Sequence, residues 1–171
     1  EYGMISDEKF CERALKFCLL KNTDGKYFSI EDYRKAIKAE QTDKDKTLVI
    51  LYATDPQAQY SYIEAAKNKG YDVLLLDCHL DSYFVNMLET KLENVKFARV
   101  DSDSVDRLIV KEDRKKPELS EDEKKALDEI FKAGLPTEME WNIEADNLGR
   151  DAAPVLITQS EFMRRYREMS K

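Results

Sequence analysis

Apolar and polar positions alternate along the chain in two rhythms, one helical and one strand-like. Ser6 is placed to cap a helix from Asp7 to about Lys21, in which Phe10, Ala14, Phe17 and Cys18 recur at i, i+4, i+7 and i+8 as one buried stripe. The turn signal Asn22-Thr-Asp-Gly25 ends it. Ser29 followed by Asp32 resembles a capping box, with Phe28 and Tyr33 at the staple positions of a second helix running to about Ala39. Then the rhythm changes. Thr47 to Thr54 is a continuous apolar run, as expected of a strand covered on both faces. Pro56 to Lys69 reads as a helix with Ala58, Tyr62, Ala65 and Ala66 on one side and Gly70 as its stop. Asp72 to Asp77 is a second strand. Leu80, Phe84, Met87 and Leu88 form the next helical stripe, and Val95 to Val100 a third strand. Strand, helix, strand, helix, strand implies a small parallel sheet with crossover helices.

Past that unit the pattern breaks. Lys111 to Lys125 holds twelve charges in fifteen residues, with Pro117 inside, and reads as a solvated hinge. Ser120 and Glu123 form a capping box for a helix with the stripe Leu127, Ile130 and Phe131, ending at Gly134. Met139 to Ile143 alternates like a half-exposed strand, Pro154 to Thr158 reads as another, and Ser160 caps a last amphipathic helix. A boundary near 111–120 divides the chain into 1–112 and 113–171. The expected fold class is α/β: a helical connector, a small αβα unit with a short parallel sheet, then the start of an α+β C-terminal domain.

Length and charge narrow the function. At 171 residues the chain allows one domain or two small ones. Its net charge of −7 and pI near 5.0 argue against nucleic acid as the partner, since phosphate-backbone binding needs a basic face. No apolar run approaches the roughly 18 residues of a membrane span. The chain starts Glu1-Tyr2-Gly3, which reads as a cut made inside a longer protein. Cys11, Cys18 and Cys78 read as reduced thiols: the first two, seven apart on a helix, would stand about 10 Å apart, too far for a disulfide.

Candidate chemistry is sparse. All five glycines are isolated, so neither common phosphate-cradling loop is present. Asp55, Asp77 and Asp101 each end a predicted strand, the edge where open parallel sheets bind ligands. Together they could hold Mg²⁺ for phosphoryl transfer, although Asp is common there simply as a cap. Adjacent Cys78 and His79 read as two loop residues rather than as a nucleophile–base pair. Tyr83 lies about 100° round the helix from Phe84, and Asn86 a further 60°, so an aromatic meets an amide at the rim of a buried stripe. That suits a binding surface, although periodicity alone reads Tyr83 as core edge. On the last helix Phe162, Tyr166 and Met169 fall together, flanked by Met163, with Arg164, Arg165, Arg167 and Glu168 on most of the rest. Met-rich surfaces adapt to varied partners.

Four segments together resemble one family. They are Ser29 to Tyr33 (SIEDY), Val73 to Asp77 (VLLLD), Leu80 to Asn86 (LDSYFVN) and Ala153 to Thr158 (APVLIT), colinear and strongest over 29–113. In this order and spacing they resemble the ninety-kilodalton heat-shock chaperone family in its bacterial HtpG form. The resemblance implies that 1–112 closes the middle domain and that 113–171 holds a hinge and opens the C-terminal domain. The ATPase domain with its ATP and Mg²⁺, and the helices that make the parent a homodimer, then lie outside this chain. The segment itself is expected to carry no catalytic residue, cofactor or metal. Implied partners are unfolded or partly folded client proteins, with room for co-chaperones, and neither nucleic acid nor membrane; the implied location is cytoplasmic. The family's client surface carries over to Tyr83 and Asn86, where bacterial members more often have Trp and where Ser82 replaces an acidic Glu. It also carries over to Met163, with Phe162 and Tyr166 beside it. Two other readings stand against this one: the Mg²⁺-dependent phosphoryl-transfer enzyme and a plain acidic interaction module.

Overall fold

The computed structural model describes residues 1–111, 119–136, 141–146, 148 and 154–169. They belong to two compact units, one of 1–112 with 155–171 and one of 113–154.

The first unit is built on three parallel strands, β3 (Leu48–Ala53), β4 (Val73–Leu75) and β5 (Val95–Arg99), in the order β4-β3-β5. Successive side chains of the central strand point to opposite faces, and both faces are covered. Leu48, Ile50 and Tyr52 join one core with Phe84, Leu88 and Phe97. Val49, Leu51 and Ala53 join the other with Ile63, Ala66 and Ala98. This explains the unbroken apolar run: a strand sandwiched between helices has no polar side. The helices of the first face are α1 (Tyr2–Ser6), α2 (Glu8–Ala14), α3 (Ile30–Gln41) and α5 (Asp81–Lys91); those of the second are α4 (Tyr60–Asn68) and α6 (Val105–Leu108).

Where the expected elements shift, local hydrogen bonding decides. Ser6 caps nothing; its hydroxyl donates to the Tyr2 carbonyl. Asp7 breaks the chain instead, with extended backbone, and accepts from the Phe10 N–H to open α2. The break resets the phase, so Met4, Cys11 and Ala14 are buried while Phe10 and Phe17 are exposed. The expected tail of that helix is strand β1 (Leu19–Lys21), paired antiparallel with β2 (Tyr27–Ser29). Asn22 closes this hairpin by accepting from Asp24 N–H and Lys26 N–H, and Gly25 takes the positive φ of +80° that the turn requires. The hairpin also reaches β4, through Thr23 N–H to the Val73 carbonyl.

Helix α4 starts four residues late. Asp55 accepts from Gln57 and Ala58 N–H, and buried Gln59 accepts from Thr54 and Asp55 N–H, so side chains hold Pro56–Gln59 as turns. Its buried residues are Ile63 and Ala66, and Ala58 and Ala65 are exposed. At the start of α3 the cap and staple stand as expected, with Ser29 Oγ accepting from Asp32 N–H and the Phe28 and Tyr33 rings 5.5 Å apart. In return the Asp32 carboxylate accepts from the Ser29 hydroxyl rather than from the backbone N–H of a full box.

In the second unit, helix α7 (Glu121–Gly134) has both halves of the Ser120–Glu123 capping box. Its stripe is open, with Ile130 exposed and Leu127 and Phe131 half-buried. Residues 141–143 are not a strand; the Trp141 indole N–H donates to the Pro136 carbonyl, and Met139 with Glu140 lies outside the described residues. Val155–Thr158 is not a strand either but an exposed irregular segment, with no ladder partner among the described residues. Of the charge-dense stretch read as a hinge, 111–125, residues 112–118 lie outside the described residues, and 121–125 are the first residues of α7 rather than hinge. Helix α8 (Glu161–Met169) follows Ser160 and belongs with the first unit.

Candidate functional site

The carboxyl edge of the sheet is where a parallel fold leaves backbone and loop groups open to a ligand. Here residues 157–165 cover its β3–β5 side. The Tyr62 hydroxyl donates to the Ile157 carbonyl, Gln159 N–H donates to the Asp101 carbonyl, and the Gln159 side chain accepts from Arg99 at 3.0 Å. Tyr52, at the end of β3, donates its hydroxyl to Glu161 at 2.7 Å and accepts from Arg164.

The orientation of α8 reverses what its apolar pattern suggests. Arg164 is 8% exposed, and Glu161 and Arg165 are half-buried beside it, one turn of the helix making a charged inner face. Phe162, Met163 and Tyr166 are 75%, 50% and 65% exposed, with the two rings stacked at 6.5 Å. The receiving surface is polar, made of Tyr52, Glu89 and the backbone of β5, which is why the charged side goes in. Burial alone would push the Glu161 carboxyl up, but Arg164, the Tyr52 hydroxyl and Arg165 together hold it below its ordinary value. Tyr52 is pushed well above its ordinary value, first by burial and then by the Glu161 charge.

Tyr83 and Asn86 sit on α5, whose inner face is Phe84, Val85 and Leu88. Tyr83 is 40% exposed against 2% for Phe84, so it is a rim residue beside the core. Asn86 is half-buried, and its Oδ1 accepts from Arg165 of α8 at 2.8 Å. The two helices that bear the expected site residues therefore meet at Asn86. Sequence reasoning placed Arg164 and Arg165 on the polar remainder of α8 and missed their role. The signal available was the spacing of Glu161 to Arg164 and Arg165 at i+3 and i+4, which lets one carboxylate serve both guanidinium groups.

Two of the three strand-end aspartates do other work. Asp55 caps the turn before α4, and Asp101 takes two hydrogen bonds from Arg99 at 2.5 and 2.9 Å. Among the described residues the one close set of three potential metal ligands is Glu1, Cys78 and Asp81, which includes none of the three strand-end aspartates. Cys78 and His79 are exposed in the loop before α5, beside a cleft of about 400 Å³ that Tyr52, Asp81, Ser82 and Arg164 also line. All three cysteines are free thiols.

The chain is similar to known proteins over nearly its whole length. A family model described as Hsp90 protein matches residues 1–165. The chain is 53% identical over 171 residues to the chaperone protein htpG of Bacteroides fragilis (strain YCH46), covering 99% of this chain and 25% of that protein. It is 50% identical to the chaperone protein HtpG of Bacteroides thetaiotaomicron, with 99% and 25% covered, and 47% identical to that of Porphyromonas gingivalis (strain ATCC 33277), with 100% and 25% covered. It thus spans about a quarter of the length of the curated relatives it matches. The middle domain of a Plasmodium falciparum heat shock protein aligns with a TM-score of 0.46 at 21% identity, over 60% of this chain and 43% of that one.

Proposed function

This chain belongs to the Hsp90 family, and on that premise we propose that it is a segment of an ATP-driven chaperone, supplying surface for partly unfolded client proteins and no nucleotide site. The observation that carries the reading is the exposure of Phe162, Met163 and Tyr166 on a helix that is docked by its charged side. An apolar cluster left open by a helix whose other face is engaged is suited to a partner with apolar side chains of its own. Tyr83 adds a second aromatic at the rim of α5, beside the Asn86 amide.

Within the parent, residues 1–112 are assigned to the end of the middle domain and residues from 113 to the hinge and the opening of the C-terminal domain. ATP and Mg²⁺ belong to a domain outside this chain, as do the helices of a homodimer. Co-chaperones are further candidate partners, and a cytoplasmic location goes with the family. Among the described residues no helix is long and apolar enough to cross a membrane.

The phosphoryl-transfer reading has no comparable support, since Asp55 and Asp101 already serve as cap and ion-pair partner. Calorimetry separates the two. The chain is expected to take up no Mg-ATP and to bind a fluorescent, permanently unfolded protein saturably. Saturable ATP uptake in the micromolar range, lost in Asp55→Asn and Asp77→Asn, would reverse the assignment.

A further inference from the structure

Arg165 has five N–H groups, and the structure gives each an acceptor. Nε donates to Glu161 Oε1 at 2.7 Å. Nη1 donates to Asn86 Oδ1 at 2.8 Å and to Glu89 Oε2 at 2.7 Å. Nη2 donates to Glu89 Oε1 at 3.3 Å and to the Phe97 carbonyl at 3.0 Å. One side chain of α8 thereby makes three hydrogen bonds to α5, at Asn86 and Glu89, and one to β5, while also bracing its own helix. Only a planar fork with five donors can do this; a lysine ammonium has three and no fixed plane. Burial works against the guanidinium charge, but Glu89 and Glu161 outweigh it and raise its already high pKa.

The other contacts of α8 are polar too: Glu161 accepts from the Tyr52 hydroxyl at 2.7 Å, and Arg164 donates to that hydroxyl. Of its described side chains only Arg164 is buried, and none of its apolar ones is. The hydrophobic effect therefore contributes little to the docking, which depends on charge-assisted hydrogen bonds in a partly buried setting. Removing Arg165 leaves Glu89 facing Glu161 without their shared cation.

We infer that Arg165 is a positioning residue that clamps α8 to α5, so that the cluster of Phe162, Met163 and Tyr166 and the rim of Tyr83 and Asn86 act as one rigid surface for an extended polypeptide. The inference rests on the client reading of these residues. Its physical advantage is effective concentration: two weak contacts on one body are engaged together, whereas a loose α8 makes the second an independent event. Asn86 then has two duties. Its amide belongs to the surface, and its oxygen is one of the clamp's anchors, so a truncation at Asn86 disturbs both.

The test pairs a structural readout with a binding readout on the 171-residue chain. Hydrogen exchange follows the α8 amides, with β3 amides as a folding control. Fluorescence anisotropy follows reduced, carboxymethylated α-lactalbumin as the unfolded probe. The variants are Arg165→Met, Arg165→Lys, Glu89→Gln and the Arg165→Met/Glu89→Gln pair, with Tyr83→Ala alongside. Arg165→Met and Glu89→Gln should each speed α8 exchange and weaken the probe by about fivefold to tenfold, leaving β3 unchanged. The pair should cost no more than Arg165→Met alone, because both act through one clamp. Arg165→Lys should fall between wild type and Arg165→Met. Unchanged α8 exchange in Arg165→Met overturns the clamp. Released α8 with unchanged probe affinity, while Tyr83→Ala weakens the probe, overturns its role in binding. If Tyr83→Ala has no effect on the probe either, the client reading itself fails and takes the clamp's purpose with it.

Discussion

Asp81 stands at the first position of α5, nearly fully buried, with Oδ2 accepting from the Cys78 N–H at 2.6 Å. Burial pushes its carboxyl up from the ordinary 3.8 to about 7; the Cys78 N–H opposes this, and the nearby Glu1 and Asp77 carboxylates add to it. The sign of the consequence follows from proton counting. Between about pH 4 and pH 7 the folded chain keeps a proton that the unfolded chain has lost, so this group makes stability fall as pH rises through that window. Above it the penalty is constant. Asp81→Asn, which keeps an acceptor for Cys78 but cannot ionise, should therefore gain on wild type as pH goes from 4.5 to 8. Urea midpoints at the two pH values measure it, and an equal difference at both would show that Asp81 carries no such penalty. At this scale some roles could be read in advance and some could not. That Phe84 centres the stripe of α5 and Tyr83 flanks it follows from 100° per residue alone. That Arg164 is buried does not, because its partner Tyr52 lies 112 residues away.

Helix α3 shows how an element is fastened at both ends. Ser29 and the Phe28–Tyr33 pair fix its start. Its last residue, Gln41, is fully buried and links β3 to the residue that precedes β4, donating to the Val49 carbonyl at 2.9 Å and accepting from Asp72 N–H at 2.6 Å. Asp72 in turn accepts from Tyr33 and from Asn22 of the hairpin. The hydroxyl of Tyr33 is held far from ionisation, first by burial and then by the Asp72 charge. Gln41→Met keeps the volume but leaves a buried N–H without its acceptor, so it should cost about 1–3 kcal/mol. The check is the urea midpoint at constant m; a Met variant as stable as wild type would mean that packing, not these bonds, holds the helix end. The start of α3 was legible because caps and staples are local signals. The end was not, since nothing near Gln41 in sequence reveals its partners. For the same reason β1 was read as a helix tail: three residues are too short to show a period, and the Asp7 break that rephased the first helix is a competition between neighbouring caps.

Over the whole molecule, the α/β/α layering was legible because β3 needed apolar residues on both faces and the intervening segments kept a helical period. The return of 155–171 to the first unit was not. It depends on a polar receiving surface assembled from β3, α5 and β5, and the exposed apolar stripe of α8 would by pattern alone have been assigned to a core. That exposed stripe, together with Tyr83, is the central claim for function. The most direct measurement compares Tyr83→Ala with Phe84→Ala, reading affinity for an unfolded probe protein and the urea midpoint in the same samples. Tyr83→Ala should weaken the probe about tenfold, equivalent to roughly 1.4 kcal/mol, with an unchanged midpoint. Phe84→Ala should lose about 3–5 kcal/mol of stability as a core truncation. Tyr83→Ala unfolding as badly as Phe84→Ala, or binding the probe as tightly as wild type, would contradict the account.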